Sequence, residues 1–212
     1  MQLLIATMNR HKAREFASIF ADHDVRTPNE LGITFDVEET GDSFLSNAML
    51  KATRLREQID DRTGPASIIV ADDSGLCVDA LSGAPGIYSA RFGSPDGGKT
   101  ELDAPTRNEI LLRALDRIDN RRARFVCCMV ALLPNDRFTV AQESWEGEIA
   151  RGPSAATGGF GYDPVFHLPE LGCTAADLPA AEKNRLSHRG RASRVLAAAI
   201  RAALREGPEG GA

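Results

Sequence analysis

Leu3-Leu4-Ile5-Ala6-Thr7-Met8-Asn9-Arg10-His11-Lys12 opens the chain with a change of pattern. Residues 3–6 form a short unbroken apolar run that reads as a buried strand. Asn9 is a good helix N-cap, and Ala13, Phe16, Ile19 and Phe20 follow at helical spacing, predicting a helix to about Ala21. A strand feeding a helix N-terminus also makes an anion site, because the first N–H groups of the helix lack internal partners and its dipole points the same way. Thr7 and Asn9 add side-chain groups there, and Lys12 a full positive charge. The plainer alternative is a capped helix start without a ligand. This stretch does not carry the pattern GxxxxGK[ST], so it is not a P-loop.

The same mixture continues outward. A second amphipathic helix fits 43–58, capped by Asp42, with Leu45, Ala48, Met49, Ala52 and Leu55 on one face. Ser67 to Ala71 reads as a strand ending in Asp72-Asp73. Residues 93–104 read as a loop, and Pro105 suits the first turn of a helix through Ile118. Phe125 to Leu133 is a continuous apolar strand, expected to be covered on both faces. Asn135-Asp136 signals a turn, with 137–144 returning as the second strand of a hairpin. Residues 152–164 are glycine-rich and irregular. A last helix covers about 189–205, with Val195, Leu196, Ala199, Ile200, Ala203 and Leu204 expected to face the core. The tail GPEGGA is expected to fray. Helices and strands mixed without strict alternation predict an α/β or α+β fold around a mixed sheet.

At 212 residues the chain suits one domain, or one domain with two lobes, covering 1–205 with 206–212 as tail. Lys+Arg total 25 against Asp+Glu 30, a net charge of −5, which argues against a nucleic-acid polymer as partner but not against a small anion. No apolar run approaches the ~20 residues of a membrane span. Met1 leads almost directly into the first strand, so no signal peptide is expected. Cys77, Cys127, Cys128 and Cys173 form no CxxC pair and read as free thiols in a reducing cytoplasm. Only four basic residues are lysines, namely Lys12, Lys51, Lys99 and Lys183, which makes each a candidate for a place where a compact ammonium is needed.

Three further stretches carry chemistry. In Ala71-Asp72-Asp73-Ser74-Gly75, two carboxylates at the C-terminal end of a strand suit a hard cation such as Mg²⁺, the alternative being an Asx-turn that closes the strand. Glu38 and Glu39, before Gly41, can complete a carboxylate cluster or be a solvated pair. In Gly158-Gly159-Phe160-Gly161-Tyr162-Asp163-Pro164, glycines let backbone approach a ligand, Phe160 offers a stacking face and Asp163 a polar partner; the alternative is a structural turn around a buried Phe. In Glu182-Lys183-Asn184 and Ser187-His188-Arg189, Ser187 can cap the last helix, leaving His188 and Arg189 either as surface cations or as donors to a carbonyl on a base edge. Together these supply phosphate-binding charge, a metal site, an aromatic platform and base-edge donors, a set that points to nucleoside triphosphate chemistry.

The runs ATMNRHKAREF, EETGDSF-SNA, ADDSGLCVDALSGAPGIYSARF, GGFGYDPVF and AEKNRLSHRGRA, in this order from Leu3 to about Leu204, resemble the inosine-triphosphatase-like (Ham1/RdgB) family of non-canonical purine pyrophosphatases. The resemblance implies a mixed α/β fold with flanking helices, two lobes around a long nucleotide-binding cleft, and a homodimer. It implies that Asp73 is the proton acceptor and, with Glu39 or its neighbour Glu38, a ligand of Mg²⁺, at least one per subunit. It further implies substrate contacts at Thr7, Met8, Asn9, Arg10, His11, Lys12, Ser74, Phe160, Gly161, Tyr162, Asp163, Lys183, His188 and Arg189. The expected reaction is hydrolysis of dITP/ITP or XTP/dXTP to monophosphate and pyrophosphate. Two positions depart from the pattern. Met8 replaces the usual Gly, a strain of about 1 kcal/mol or more if the backbone there has positive φ. Leu178-Pro179 replaces a more polar helix start.

Overall fold

The computed structural model describes residues 2–59, 67–134, 137–156 and 158–205; the expected Asn135-Asp136 turn and the GPEGGA tail lie outside them. Strands β1 (Gln2–Ile5), β2 (Asp24–Arg26), β3 (Ile68–Val78), β4 (Arg122–Leu132), β5 (Phe138–Ile149), β6 (Phe166–Leu168) and β7 (Cys173–Thr174) form a sheet in the order β2-β1-β3-β4-β5-β6-β7. β1 lies parallel to both β2 and β3, with Leu3 opposite Val25 and Ile68, whereas β6 is antiparallel to β5 and β7. The sheet is therefore mixed. Helices α1 (Arg10–Ile19), α2 (Phe44–Gln58), α3 (Ala104–Ala114), α4 (Ala180–Leu186) and α5 (His188–Arg205) complete the α/β fold. Among the described residues, no helix is long and apolar enough to cross a membrane.

The chain divides into two compact units. The first comprises Met1–Asp73, Cys128–Glu143 and Arg191–Ala212; the second comprises Ser74–Cys127 and Ser144–Gly190. The first is built around Leu4, Ala6, Phe35, Ala48, Ala52, Leu55, Ile69, Ala71 and Val130. The second has its own core, with Leu76, Leu111, Phe125, Trp145, Tyr162 and Phe166 among its members. Cys127 to Ala131 are all buried, as expected of a strand with apolar residues on both faces.

Local structure revises several sequence expectations. β3 does not end at Ala71 but runs on to Val78, since β4 flanks it after its pairing with β1 stops at Val70. Asp72 and Asp73 are thus mid-strand residues rather than a closing Asx-turn. The cap of α2 is Ser43, not Asp42: Ser43 Oγ accepts from the Ser46 N–H, Ser46 Oγ accepts from the Ser43 N–H, and Asp42 only receives the Ser46 hydroxyl. α3 stops at Ala114 rather than Ile118, because Leu115 leaves helical geometry and Arg117 turns the chain at φ 60°. On α5, Val195 (46% exposed) and Leu204 (43%) point away from the core, which is reached instead by Ala192, Leu196 and Ile200. Residues four apart drift by about 40° around a helix, so this row has left the core by Leu204. The short strands β2, β6 and β7 are too brief to show an alternating pattern.

Gly75 shows why the long block around Asp73 reads as it does. A Cβ there would collide with the Gly86 carbonyl oxygen and Ser89 Oγ. Ser89 Oγ accepts from the Leu76 N–H at 2.8 Å and donates to Gly86 O at 2.6 Å, while its carbonyl accepts from Tyr162 Oη at 2.9 Å. Gly75→Ala should therefore lower stability by about 1–3 kcal/mol, read as a drop in melting temperature. Gly152→Ala, where a Cβ meets nothing within 4 Å, should leave the melt unchanged.

Candidate functional site

Successive side chains on a strand point to opposite faces, so β3 sends Asp72 one way and Asp73 the other. Asp72, with its side chain 1% exposed, accepts from Lys12 Nζ at 2.9 Å. Lys12 lies in the first turn of α1, where Asn9 Oδ1 accepts from the N–H groups of His11 (2.9 Å) and Lys12 (3.2 Å). Thr7 Oγ1 in turn accepts from the Asn9 N–H at 3.1 Å. Arg10, His11 and Met8 are exposed, Met8 by 44%. Among the described residues, only Ser82 and Arg117 are non-glycine positions with positive φ, so the Met8 backbone carries no such strain.

On the other face, Asp73 Oδ1 accepts from Lys51 Nζ at 3.1 Å and Oδ2 from Asn47 Nδ2 at 3.2 Å. Lys51 Nζ also donates to Glu39 Oε1 at 2.7 Å. Glu39, not its exposed neighbour Glu38, thereby shares a cation with Asp73. The four-carboxylate cluster expected from sequence does not assemble, because Asp72 faces away and Glu38 faces solvent; among the described residues, no three His, Cys, Asp or Glu side chains gather as a metal site.

Burial raises the Asp73 carboxyl above its ordinary range and the Glu39 charge adds to this, against the opposing pull of Lys51. Burial alone would lower Lys51, but Asp73, Glu39 and Asp72 outweigh it and hold the ammonium charged. Asp73 is consequently a stronger base than a free aspartate, whose pKa is ~3.9. Nearby Cys128 is pushed up to about 11 by burial, then by Asp73 and Asp72, so it stays a protonated, unreactive thiol.

The second unit holds the other set. Gly159 (φ 70°) and Gly161 (φ 65°) adopt the left-handed conformation, and a Cβ on Gly159 would strike Asp163. Asp163 is buried, and its Oδ2 accepts from the Phe160 N–H at 2.5 Å and from Lys183 Nζ at 2.8 Å. Lys183 Nζ lies 4.5 Å from the Phe160 ring centroid and the Arg189 guanidinium carbon 5.8 Å from it. Arg189 Nη2 donates to Ser74 Oγ at 2.8 Å. His188 is buried and stacked on Phe125, centroids 4.8 Å apart. Ser187 Oγ accepts from the Gly190 N–H at 3.2 Å, the expected cap of α5. Tyr162 packs in the core, its hydroxyl spent on Ser89.

The fold thus groups Thr7, Asn9 and Lys12 with Asp72, groups Glu39 with Asp73, and gathers Ser74, Phe160, Asp163, Lys183 and Arg189. Asn47 escaped the sequence reading, as did Asn108, whose Nδ2 donates to Gly161 O at 3.1 Å, while Lys51 was noted there only as one of the four lysines, with no place in a site. A signal for two of them was available. Asn47 and Lys51 are polar residues four apart, interleaved with Ala48, Ala52 and Leu55 on the buried stripe of α2.

The Ham1 family model matches residues 3–199. The chain belongs to the Ham1 family. Relatives named dITP/XTP pyrophosphatase include one from Pectobacterium atrosepticum, 47% identical over 205 residues, covering 94% of this chain and 98% of its own. Another, from Treponema denticola, is 45% identical over 192 residues, covering 91% and 94%. The solved structure of the Staphylococcus aureus Ham1 protein superimposes with a TM-score of 0.80 at 38% identity, covering 96% of this chain and all of that one. The mixed sheet with flanking helices is thus a Ham1 fold.

The Asp163 pair sets a stability prediction within this Ham1 chain. Asp163→Ala takes the carboxylate from the buried Lys183 ammonium and should cost about 3 kcal/mol or more, measured by urea unfolding. Adding Lys183→Met should recover part of that loss.

Proposed function

We propose that this chain hydrolyses non-canonical purine nucleoside triphosphates, dITP/ITP and XTP/dXTP, to the monophosphate and pyrophosphate, removing them from the nucleotide pool. The observation that carries the reading is Asp73, buried, raised in basicity and held at both oxygens beside Glu39, in a chain whose relatives are named dITP/XTP pyrophosphatases. In this reading an Asp73 carboxylate oxygen takes the proton of a water attacking the α-phosphorus, the bond from that phosphorus to the bridging oxygen breaks, and pyrophosphate leaves. Lys12 and Lys183 offset the charge of the phosphate oxygens. Asp72 keeps the Lys12 ammonium in place before substrate arrives.

The donor set fits a divalent cation. Glu39 Oε1 and Asp73 Oδ1 converge on one positive centre, the Lys51 ammonium, and both are hard oxygen donors of the kind Mg²⁺ takes. Glu39 and Asp73 would hold the ion, at least one per subunit, and when bound it neutralises phosphate oxygens and acidifies water.

Base selection falls to Phe160 as a stacking face and to His188 and Arg189 as donors. Hypoxanthine and xanthine offer a carbonyl at the 6-position where adenine offers an amino group, and a donor left unpaired by adenine can discriminate by roughly 10⁴. Thr7, Met8, Asn9, Arg10 and His11 line the phosphate end in this reading. Gly161, Tyr162 and Asp163 shape the turn that presents Phe160. The reading includes a homodimer working in the cytoplasm, in keeping with four free cysteines.

Purified protein with Mg²⁺ should release pyrophosphate from dITP, ITP and XTP far faster than from the four standard triphosphates. Stepwise release of orthophosphate would overturn the assignment. Asp73→Asn should lower kcat by about 10³ or more, read below the lowered melting temperature expected when the buried Lys51 ammonium loses one of its carboxylate partners. Arg189→Ala should erode the ITP-over-ATP ratio more than it slows ITP turnover, and an unchanged ratio would refute its role.

A further inference from the structure

We infer that Asn47 is a positioning residue for this hydrolysis, orienting Asp73 and tying the segment that carries Glu39 to α2; the inference rests on the pyrophosphohydrolase reading above. Asn47 is 0% exposed, and a fully buried amide needs partners for both ends. Its Oδ1 accepts from the Gly41 N–H at 2.8 Å. A backbone N–H can only donate, so the amide oxygen must face Gly41 and Nδ2 is left to donate to Asp73 Oδ2. One helical turn on, Lys51 takes the other oxygen of the same carboxylate. Residues four apart share a helix face, so α2 grips Asp73 at two points. The carboxylate cannot rotate without losing one of them.

The second arm acts on Glu39. Residues 33–41 belong to no helix or strand, so no ladder fixes the course of the chain there. Gly41 approaches α2 so closely that a Cβ would collide with Ser46 Oγ and stand 2.6 Å from Asn47 Oδ1. The Asn47–Gly41 bond anchors that approach two residues after Glu39, which then reaches Lys51 at 2.7 Å. One amide therefore sets both carboxylates around one cation.

The test compares Asn47→Asp, which keeps the volume and the acceptor for Gly41 but replaces the donor to Asp73, with Asn47→Leu, which keeps the volume and neither bond. Steady-state kinetics on dITP are read below the melting temperature of each folded variant. Both should lose about 10²-fold in kcat with KM within about threefold of the parent, and Asn47→Asp should melt closer to the parent than Asn47→Leu. Parental kcat in Asn47→Asp, or an effect confined to KM, overturns the positioning role while the parent still releases pyrophosphate. A parent that releases none overturns the functional reading and the inference with it.

Discussion

Burying one ammonium among carboxylates is costly unless the geometry returns what desolvation takes. Lys51 meets that condition by reaching Glu39 and Asp73 at once, with Asn47 holding the second oxygen of Asp73. Much of the first unit follows from this contact. α2 must lie where its fourth and eighth residues face β3, the Gly41 turn must lie flat against α2, and β3 must remain a strand through Asp73. The outcome is a buried aspartate whose pKa is raised by burial while Lys51 and Asn47 fix the direction of its carboxylate.

The second unit solves a parallel problem with a different charge pair. Asp163 neutralises Lys183 and, with the same oxygen, holds the Phe160 N–H, so one carboxylate sets both the aromatic ring and the cation over it. Three glycine-dependent contacts make room. Gly159 keeps clear of Asp163, Gly161 turns the chain so that its carbonyl meets Asn108, and Gly75 admits the Gly86–Ser89 turn. The glycine-rich stretches look like loops, but each is held by specific polar contacts.

Much of this was legible in the residues. The capped start of α1, the unbroken buried run Cys127 to Ala131 of β4 and the Ser187 cap of α5 follow from local rules that tertiary contacts do not overrule. Legibility failed where a local cue had a competitor. Asp42 and Ser43 can both cap a helix, and the reciprocal Ser43–Ser46 pair decided between them. Asp72-Asp73 reads as a strand end, since paired aspartates usually stop a strand, but a second neighbouring strand carried the ladder past them. Val195 and Leu204 fit a helical stripe, yet among the described residues both stay exposed.

From residues alone came the mixed α/β class, the family resemblance and most of the polar residues of the candidate site, because periodicity, caps and ordered motifs act over short stretches of chain. Which carboxylate faces which lysine was settled only by folding. Asp72 and Asp73 are adjacent in sequence, yet the two-residue period of a strand sends one to Lys12 and the other to Lys51. Glu38 and Glu39 differ in the same way, one in solvent and one on the shared ammonium. Direction and burial are properties of packed elements, and they decide which of two identical side chains meets Lys12 and which shares Lys51 with Glu39.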